Sequence, residues 1–505
     1  MGGPRAIGLP PVPADRSAST ASRATSSAPL SESQRRAVAE LLRIAPVADD
    51  LGRRFEAAGH QLFLVGGSVR DAFLGRLGAD LDFTTDARPD RVLELARGWA
   101  ESVWETGIAF GTVGLAKSGY RLEVTTFRSD AYDRSSRKPD VTYGDTLAGD
   151  LERRDFTVNA MAVRVPVTGT AEFEDPFGGL ADLAAGRLRT PGPATRSFDD
   201  DPLRMLRAAR FRAQLGFDVA PDVVAAIRGM ADRLDIVSAE RVREELTKLV
   251  CAPHPREGLE LLVDTGLADH VLPELPKLRL EIDEHAHHKD VYAHTLQVLD
   301  QAIALEPEGP DLVLRLAALL HDIGKPATRK VEAGGKVSFH HHESVGARMV
   351  RARLAALRYP KDVVDDVAHL VELHLRFHGY ADGEWTDSAV RRYVHAAGEL
   401  LPRLHRLVRS DCTTRNRRKA AALAAAYDDL ERRIAVLAAE EDLKRIRPDL
   451  DGNEIMAILG IPPGPAVGKA YRHLLDLRIE HGPLGHELAA DELRRWAAQH
   501  LDMRD

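Results

Sequence analysis

Two acidic residues in one predicted strand constrain the fold of this 505-residue chain more than any other feature. The segment ADLDFTT (79–85) has the composition of a strand, in which residues two apart project from the same face. Asp80 and Asp82 would then stand side by side and repel each other unless a divalent cation lies between them. The segment therefore predicts a metal-binding strand, with a solvated strand edge as the alternative.

A glycine turn precedes the strand that carries the acidic pair. LFLVGG (62–67) predicts a strand that ends at two glycines, and SVRDAFLG, which follows Gly67, predicts the start of a helix. Backbone N–H groups in such a turn can bind a phosphate, and Gly67, Ser68 and Arg70 are candidate ligands. A plain turn between a strand and a helix is the alternative.

Together, the turn and the acidic pair predict phosphoryl transfer. Two Mg²⁺ ions held by Asp80 and Asp82 can activate an attacking hydroxyl and stabilise the leaving oxygen of an in-line displacement. A later predicted strand, RLEVTTF (121–127), carries Glu123, which we expect to be a third carboxylate of the site. The alternative role of this glutamate is that of a surface partner for an arginine.

A third polar segment is RRDFTVNAMA (153–162). If this segment opens a helix, Asp155 and Asn159 lie on one face, with Arg154 at the N-terminal edge. Such a set suits a nucleotide, and a simple capping arrangement is the alternative.

An arginine stripe follows in DDDPLRMLRAARFR (199–212), which predicts a helix. Arg204, Arg207 and Arg210 recur at a spacing of three beside Asp201. An aspartate accepts from a base edge and an arginine donates to it, so this set is a candidate nucleotide- and base-binding site rather than an ordinary solvated face.

The second half of the chain carries histidines and aspartates in otherwise apolar helical segments. Imidazole and carboxylate are good ligands for transition metals or Mg²⁺, and a buried His-Asp dipeptide needs polar partners. The candidate ligands are His294, His321, Asp322 and Asp411, with His342 and His374 as less secure ligands of a second metal. The alternative is a helical body that serves only as a scaffold.

Composition excludes several classes of protein. No apolar run approaches the ~18 residues of a membrane-spanning helix, so we expect no membrane association. The chain has two cysteines, Cys251 and Cys412, which excludes a disulfide framework or thiolate zinc site and favours the cytoplasm. The net charge of −8 argues against a uniformly basic coat but not against local basic tracks.

Several short motifs occur in order along this chain: VGGSVRD…DLDF, EVTTFR, RRDFTVNAMA, DPFGGLADL, DDDPLRMLRAARF and SAERVREEL. Together they resemble the class II tRNA nucleotidyltransferase and bacterial poly(A) polymerase family. The histidine and aspartate order resembles an HD phosphohydrolase domain. The resemblance implies an α+β fold, with a small mixed-sheet head similar to polymerase β and an all-helical neck, body and tail.

We expect five regions on this basis. They are a disordered extension (1–35), a nucleotidyltransferase head (36–195), a helical neck for base recognition and RNA binding (196–265), an HD body (266–440) and a helical tail that binds tRNA (441–505). The resemblance also implies that the segment 128–145 is the mobile loop that governs the change from CTP to ATP.

The resemblance further implies roles for the candidate residues. Asp80 and Asp82 would bind the catalytic metals, Arg154 would contact nucleotide, and Asp201 with Arg204 would read CTP and ATP. The implied activity is template-independent addition of CCA to the 3′ end of tRNA, with release of pyrophosphate. Alternatives are a poly(A) polymerase, an enzyme that adds only CC or only A, and an HD phosphohydrolase whose head only binds nucleotide. A phosphohydrolase activity of the HD body is a possible second function.

Overall fold

The computed structural model describes residues 46–76, 78–131, 140–144, 146–166, 172–279, 290–333, 337–377, 380, 385–414, 416–440 and 446–501. The expected N-terminal extension and much of the expected mobile loop lie outside these residues. The chain divides into two compact units, one formed by residues 1–129 and 141–180 and the other by 130–140 and 181–505. This division lies before residue 195, at which the sequence placed the end of the head.

The first unit is built on one seven-stranded sheet with the order β3-β4-β5-β2-β1-β8-β9. The strands of this sheet are β1 (Leu62–Val65), β2 (Asp80–Thr85), β3 (Ser102–Trp104), β4 (Thr112–Lys117), β5 (Tyr120–Thr126), β8 (Ala162–Val165) and β9 (Phe173–Glu174). Neighbouring strands are antiparallel except β2 and β5, which are parallel. A separate two-stranded sheet pairs β6 (Arg128–Ala131) with β7 (Asp140–Tyr143).

One face of the seven-stranded sheet forms the main core of this unit. Alternate residues of the central strands, such as Leu81, Leu115 and Leu122, are buried on it, as strand periodicity requires. The helices of the unit are α1 (Pro46–Ala57), α2 (Gly67–Phe73), α3 (Pro89–Ala96), α4 (Leu147–Glu152) and α5 (Gly179–Ala184). Helix α5 crosses the boundary between the two units.

The second unit is almost entirely helical, with two short two-stranded sheets that pair β10 (Arg187–Leu188) with β11 (Asp218–Val219) and β12 (Lys330–Val331) with β13 (Val337–Ser338). Its first helices are α6 (Ala194–Asp200), α7 (Leu203–Leu215), α8 (Pro221–Met230), α9 (Ala239–Val250), α10 (Pro255–Asp264) and α11 (Leu267–Val271). Helix α7 packs against α9 and α10. Its buried residues lie around much of the helix, which explains why two of its arginines are buried as well.

The remaining helices form a body and a tail. They are α12 (Val291–Ala304), α13 (Leu312–Leu320), α14 (Lys325–Thr328), α15 (His342–Ala356), α16 (Lys361–Leu373), α17 (Asp387–Ala397), α18 (Leu401–Ser410), α19 (Arg417–Glu440), α20 (Gly452–Leu459), α21 (Pro465–His481) and α22 (His486–His500). The last three share a small core around Ile455, Leu474 and Leu493. Asp451 begins α20 with a capping box to Glu454.

The predicted strands at 62–67, 79–85 and 121–127 and the predicted helix within 199–212 are confirmed, with β1, β2 and β5 within a residue or two of their predicted bounds. The predicted helix at 153–162 is wrong. Arg153 instead ends α4, a 3₁₀ turn covers Thr157–Asn159, and strand β8 follows.

Candidate functional site

The parallel pairing of β2 and β5 places three carboxylates together. Asp82 is in register with Glu123, and Asp80 is in register with Arg121. All four side chains are exposed, whereas the residues between them in each strand are buried. Asp80, Asp82 and Glu123 therefore lie on one face of the sheet in two adjacent rows, as the sequence predicted.

Ser68 differs from its predicted role as a phosphate ligand. Its hydroxyl is buried, accepts a hydrogen bond from the Asp82 backbone N–H at 3.1 Å and donates to the Asp80 carbonyl at 3.3 Å. The hydroxyl proton is thus used by strand β2. Ser68 fixes the backbone that carries the acidic pair rather than facing a ligand.

The glycine turn comes close to both the acidic pair and an arginine. Gly66 has φ of +70°, which disfavours other residues. A Cβ atom at this position would lie 3.0 Å from Nη1 of Arg154 and 3.6 Å from Oδ2 of Asp82. The glycine turn, Arg154 and Asp82 therefore lie next to one another.

Arg70 is held by a chain of hydrogen bonds. Its Nη1 donates to Oδ1 of Asn159 at 2.6 Å, and Nδ2 of Asn159 donates to Oδ1 of Asp155 at 2.9 Å. Its Nε and Nη2 donate to the two carboxylate oxygens of Asp71. Asp155 and Asn159 thus meet as predicted, although through a 3₁₀ turn, and they orient Arg70.

Asp150 is a residue of this site that the sequence reasoning missed. Its side chain is fully buried and pairs with Arg153 and Arg154, and it accepts a hydrogen bond from Thr84 at 3.1 Å. Burial alone would raise the pKa of this carboxyl, but the two arginines hold it below the ordinary value of 3.8. Asp150 opens the segment DLERR, three and four residues before the two arginines, and this spacing was the available signal.

The arginine stripe of the second unit begins at α7. Asp201 accepts from the Leu203 backbone N–H at 3.1 Å and forms an ion pair with Arg241 at 2.9 Å. Arg204 is buried and donates to the hydroxyl of Ser197 at 2.9 Å. Both candidate base-binding residues are therefore held in place by the helices on either side of them.

The other two arginines share a partner that the sequence did not reveal. Nε of Arg210 lies 2.7 Å from Oε2 of Glu245 on α9, and Nη1 of Arg207 lies 3.8 Å from Oε1. Because the Glu245 carboxylate is buried beside both guanidinium groups, it offsets part of their positive charge. The stripe is not a solvated face, as the sequence predicted.

The predicted histidines and aspartates of the body meet in one cluster. His294 lies within α12, whereas the others lie at or next to helix ends. His321 and Asp322 follow α13, His342 begins α15, His374 follows α16 and Asp411 follows α18. Two groups form, each with ligand atoms within 4.8 Å of one another: His294, His321 and Asp411, and Asp322, His342 and His374. Nε2 of His321 lies 3.2 Å from Oδ2 of Asp322 and thus joins the two groups.

The hydrogen bonds of the imidazole rings turn their Nε2 atoms inward. Nδ1 of His321, His342 and His374 contacts the backbone oxygens of Ala318, Phe339 and Val371 at 2.9, 2.8 and 2.6 Å. A carbonyl can only accept, so these Nδ1 atoms carry the proton and the neutral rings offer the Nε2 lone pair. The buried Nε2 atom of His374 has no hydrogen-bond partner among the described residues. This donor set fits a metal ion.

Electrostatics in the cluster favour ionised aspartate, whereas the pKa values of its two innermost histidines shift in opposite directions. Burial and the neighbouring His321 lower the pKa of His374 to about 4. Burial would raise the pKa of Asp322, but His321 and His342 hold it well below its ordinary value. Burial lowers the pKa of His321, but the neighbouring Asp322 carboxylate raises it, and the net shift is upward.

Two residues around the cluster were missed at the sequence level. Nζ of Lys325 lies 2.6 Å from Oδ2 of Asp322, and Thr413 contacts Nδ1 of His294 at 3.0 Å. Lys325 lies one helical turn after Asp322 in HDIGKP, which was the signal for it.

No helix among the described residues is long and apolar enough to cross a membrane.

Three known protein families match successive segments of the chain, in the order that the sequence motifs predicted. Residues 62–189 match the poly A polymerase head domain, residues 216–278 the probable RNA and SrmB-binding site of polymerase A, and residues 291–438 the HD domain.

Two curated relatives are similar over most of their length. An A-adding tRNA nucleotidyltransferase of Deinococcus radiodurans is 35% identical, over 86% of this chain and 95% of that protein. A CC-adding tRNA nucleotidyltransferase of Thermus thermophilus is also 35% identical, over 83% and 89%. The crystal structure of a Bacillus stearothermophilus CCA-adding enzyme in complex with CTP is 26% identical, with a TM-score of 0.64, over 90% of this chain and 98% of that one.

A polymerase-type head with an acidic row, followed by an HD body, defines an enzyme that transfers nucleotides. This chain belongs to the tRNA nucleotidyltransferases. The family and fold expected from the sequence are confirmed. The family is metal-dependent, and the described residues include two candidate metal-binding groups in the body.

We predict that Asp150→Asn destabilises the first unit at neutral pH and flattens its acid dependence. Because the folded pKa of Asp150 is depressed, its contribution is present above the unfolded pKa of about 3.9 and is lost as pH falls through the folded value. Urea unfolding followed from pH 7 down to about pH 2, through the range in which this contribution is lost, measures the difference. As a control, Asp90→Asn changes an exposed acidic residue of α3. Equal acid slopes for Asp150→Asn and the unchanged protein would contradict the assignment.

Proposed function

We propose that the chain adds CCA to the 3′ end of tRNA, using CTP and ATP and releasing pyrophosphate without a template. The acidic row of Asp80, Asp82 and Glu123 beside the glycine turn carries this proposal. Membership of the tRNA nucleotidyltransferases supports tRNA as the substrate. The relatives include CCA-adding enzymes, among them one of Levilactobacillus brevis that is 40% identical over 48% of this chain and 60% of that protein.

The extent of addition is the main alternative. The two relatives that match over nearly their full length are named for adding A alone and CC alone. A partial enzyme or a poly(A) polymerase therefore stands beside full CCA addition. Half of the expected mobile loop 128–145, namely residues 132–139 and 145, lies outside the described residues.

We assign the acidic row to two Mg²⁺ ions, because hard cations prefer carboxylate oxygens and the row presents three of them. When bound, such ions supply Lewis acidity and charge neutralisation at the reacting phosphorus. The chain itself would hold the triphosphate with the turn at Gly67 and with Arg70 and Arg154. Asp71 and Asn159 orient the Arg70 guanidinium before the nucleotide arrives.

We assign base reading to Asp201 and Arg204, with Arg207 and Arg210 extending the nucleotide site. Hydrogen bonds and ion pairs already hold these side chains in place, which favours this role. Arg204 is anchored by Ser197, and Arg210 by Glu245. A side chain held before binding loses little entropy when it pairs with a base.

The remaining regional roles follow from the same proposal. The neck and tail would bind tRNA, and the reaction would take place in the cytoplasm, where two unpaired cysteines are stable. We retain the expected regions in this proposal, with the head at 36–195, the neck at 196–265, the body at 266–440 and the tail at 441–505.

We predict that Asp80→Ala and Asp82→Ala each reduce nucleotide addition at least about a hundredfold without unfolding the protein. Each removes a carboxylate that holds metal at the reacting phosphorus, which is worth several kcal/mol. Incorporation of labelled CTP and ATP into tRNA lacking its CCA end measures this. Asp90→Ala is the matched control, because Asp90 is exposed on α3. Addition within tenfold of the unchanged protein by both variants would overturn the proposal.

A second function, metal-dependent phosphoester hydrolysis by the body, is favoured by the inward-facing Nε2 atoms of the histidine cluster. We propose His294, His321, Asp322 and Asp411 as ligands of a first metal and His342 and His374 as further ligands. Imidazole donors suit a transition metal. A bound metal would lower the pKa of a water molecule and make it a nucleophile. A body that is only a scaffold is the alternative.

We predict that the double change His321→Ala with Asp322→Ala removes bound transition metal and any hydrolysis of a 2′,3′-cyclic nucleotide. The same variant should retain CCA addition, because the acidic row lies in the other compact unit. Metal content by mass spectrometry and both reactions are measured on one preparation, with Mg²⁺, Mn²⁺ and Ni²⁺ in turn. His340→Ala with Glu332→Ala changes an exposed pair and serves as control. Absence of both metal and hydrolysis in the unchanged protein would leave the body a scaffold.

A further inference from the structure

The face of the sheet that carries the acidic row continues beyond Glu123 to an aromatic residue. Glu123 on β5 is in register with Gly114 on β4, and Gly114 is in register with Trp104 on β3. Residues in register across neighbouring strands share a face. Asp82, Glu123 and Trp104 therefore lie along one row.

Gly114 makes room for the indole of Trp104. A Cβ atom on Gly114 would lie 1.9 Å from Nε1 and 2.0 Å from Cε2 of that ring. The indole thus occupies the position on β4 that a side chain of residue 114 would otherwise fill. Its direction is toward the strand that bears Glu123.

The indole in turn holds a cation next to the acidic pair. The Arg121 guanidinium lies 5.3 Å from the centre of the Trp104 ring, a distance typical of a cation–π contact. Arg121 is exposed and is in register with Asp80. The sheet therefore presents a positioned guanidinium at the edge of the carboxylate cluster.

The order of the strands indicates whether this guanidinium contacts the incoming nucleotide or the 3′ end of the RNA. The glycine turn follows β1, on one side of β2, whereas β5, β4 and β3 lie on the other side. In an in-line displacement the attacking and leaving oxygens lie on opposite sides of the phosphorus. With the triphosphate held at the glycine turn, an in-line attack directed along the sheet would bring the 3′ hydroxyl from the side of β5 and β4, over Arg121 and Trp104.

We propose that Arg121 binds a phosphodiester of the single-stranded tRNA acceptor end and that Trp104, seated on Gly114, positions it. This rests on the proposed nucleotidyl transfer by the acidic row. Arginine contacts phosphate through two parallel N–H groups, and the aromatic ring limits the directions in which the fork can point. Arg121 is thus a contact for the growing RNA end rather than for the incoming nucleotide.

The test separates affinity for tRNA from affinity for nucleotide. Arg121→Ala should weaken tRNA binding, measured without nucleotide, about tenfold, as expected for one lost charged hydrogen bond. The slope of log affinity against log salt should decrease by about 0.7, because one phosphate contact on a single strand is lost. The KM values for CTP and ATP should change less than twofold.

Positioning by Trp104 has its own variants. Trp104→Ala and Gly114→Ala should both weaken tRNA binding, in the same direction as Arg121→Ala but by less, whereas Trp104→Phe keeps a ring and should retain most affinity. Thermal unfolding confirms that each variant is folded. Arg91→Ala is the control, because Arg91 lies on α3 and pairs with Glu94.

Two outcomes would overturn the inference. One is a higher KM for CTP and ATP with unchanged tRNA affinity in Arg121→Ala, which makes Arg121 a nucleotide ligand. The other is a loss of tRNA affinity no larger than that of Arg91→Ala. A protein that binds tRNA through Arg121 yet adds no nucleotide would instead contradict the proposed activity and leave the contact in place.

Discussion

Repulsion among carboxylates fixed on one face of a sheet is the constraint on which the first unit depends. The parallel register of β2 and β5 holds Asp82 beside Glu123 with Asp80 one row away, and the Ser68 hydroxyl fixes the backbone of that strand. Rigid strands prevent these side chains from moving far apart, so cations are needed to balance them. Basic groups close by, Arg154 at the glycine turn and Arg121 at the far side, already balance part of this charge.

The helical body balances charge in a different way. Its cluster is buried, with two aspartates among four imidazole rings and Lys325 paired to one aspartate. Helix ends bring these residues together, so backbone carbonyls at those ends are available to orient the Nδ1 atoms. An exposed acidic row suits a hard cation that keeps some of its water, whereas a buried imidazole cluster suits a transition metal. Under the proposed function, the two compact units would therefore offer different metal chemistry.

Local sequence predicted the parts of the fold in which periodicity and function agree. The strand carrying Asp80 and Asp82, its partner carrying Glu123 and the helix carrying Arg204 were all found from residue spacing. Strands β3, β8 and β9 were missed, because they are short and β8 follows a segment whose polar spacing imitates a helix start. The sequence analysis missed three residues that form ion pairs with the site residues: Asp150, Glu245 and Lys325. Their roles depend on burial or on contacts made only in the folded chain, and residue spacing shows neither. The contact of the Ser68 hydroxyl with strand β2 was also missed, because the two partners are 14 residues apart in the sequence.

The size of the product made on a defined tRNA tests the central claim most directly. A tRNA that ends at the nucleotide before CCA is incubated with CTP alone, ATP alone and both, and the products are resolved to single-nucleotide length. The account predicts two added residues with CTP alone, three with both nucleotides, and no extension with ATP alone. Extension by a long run of A, or no extension under any condition, would contradict it.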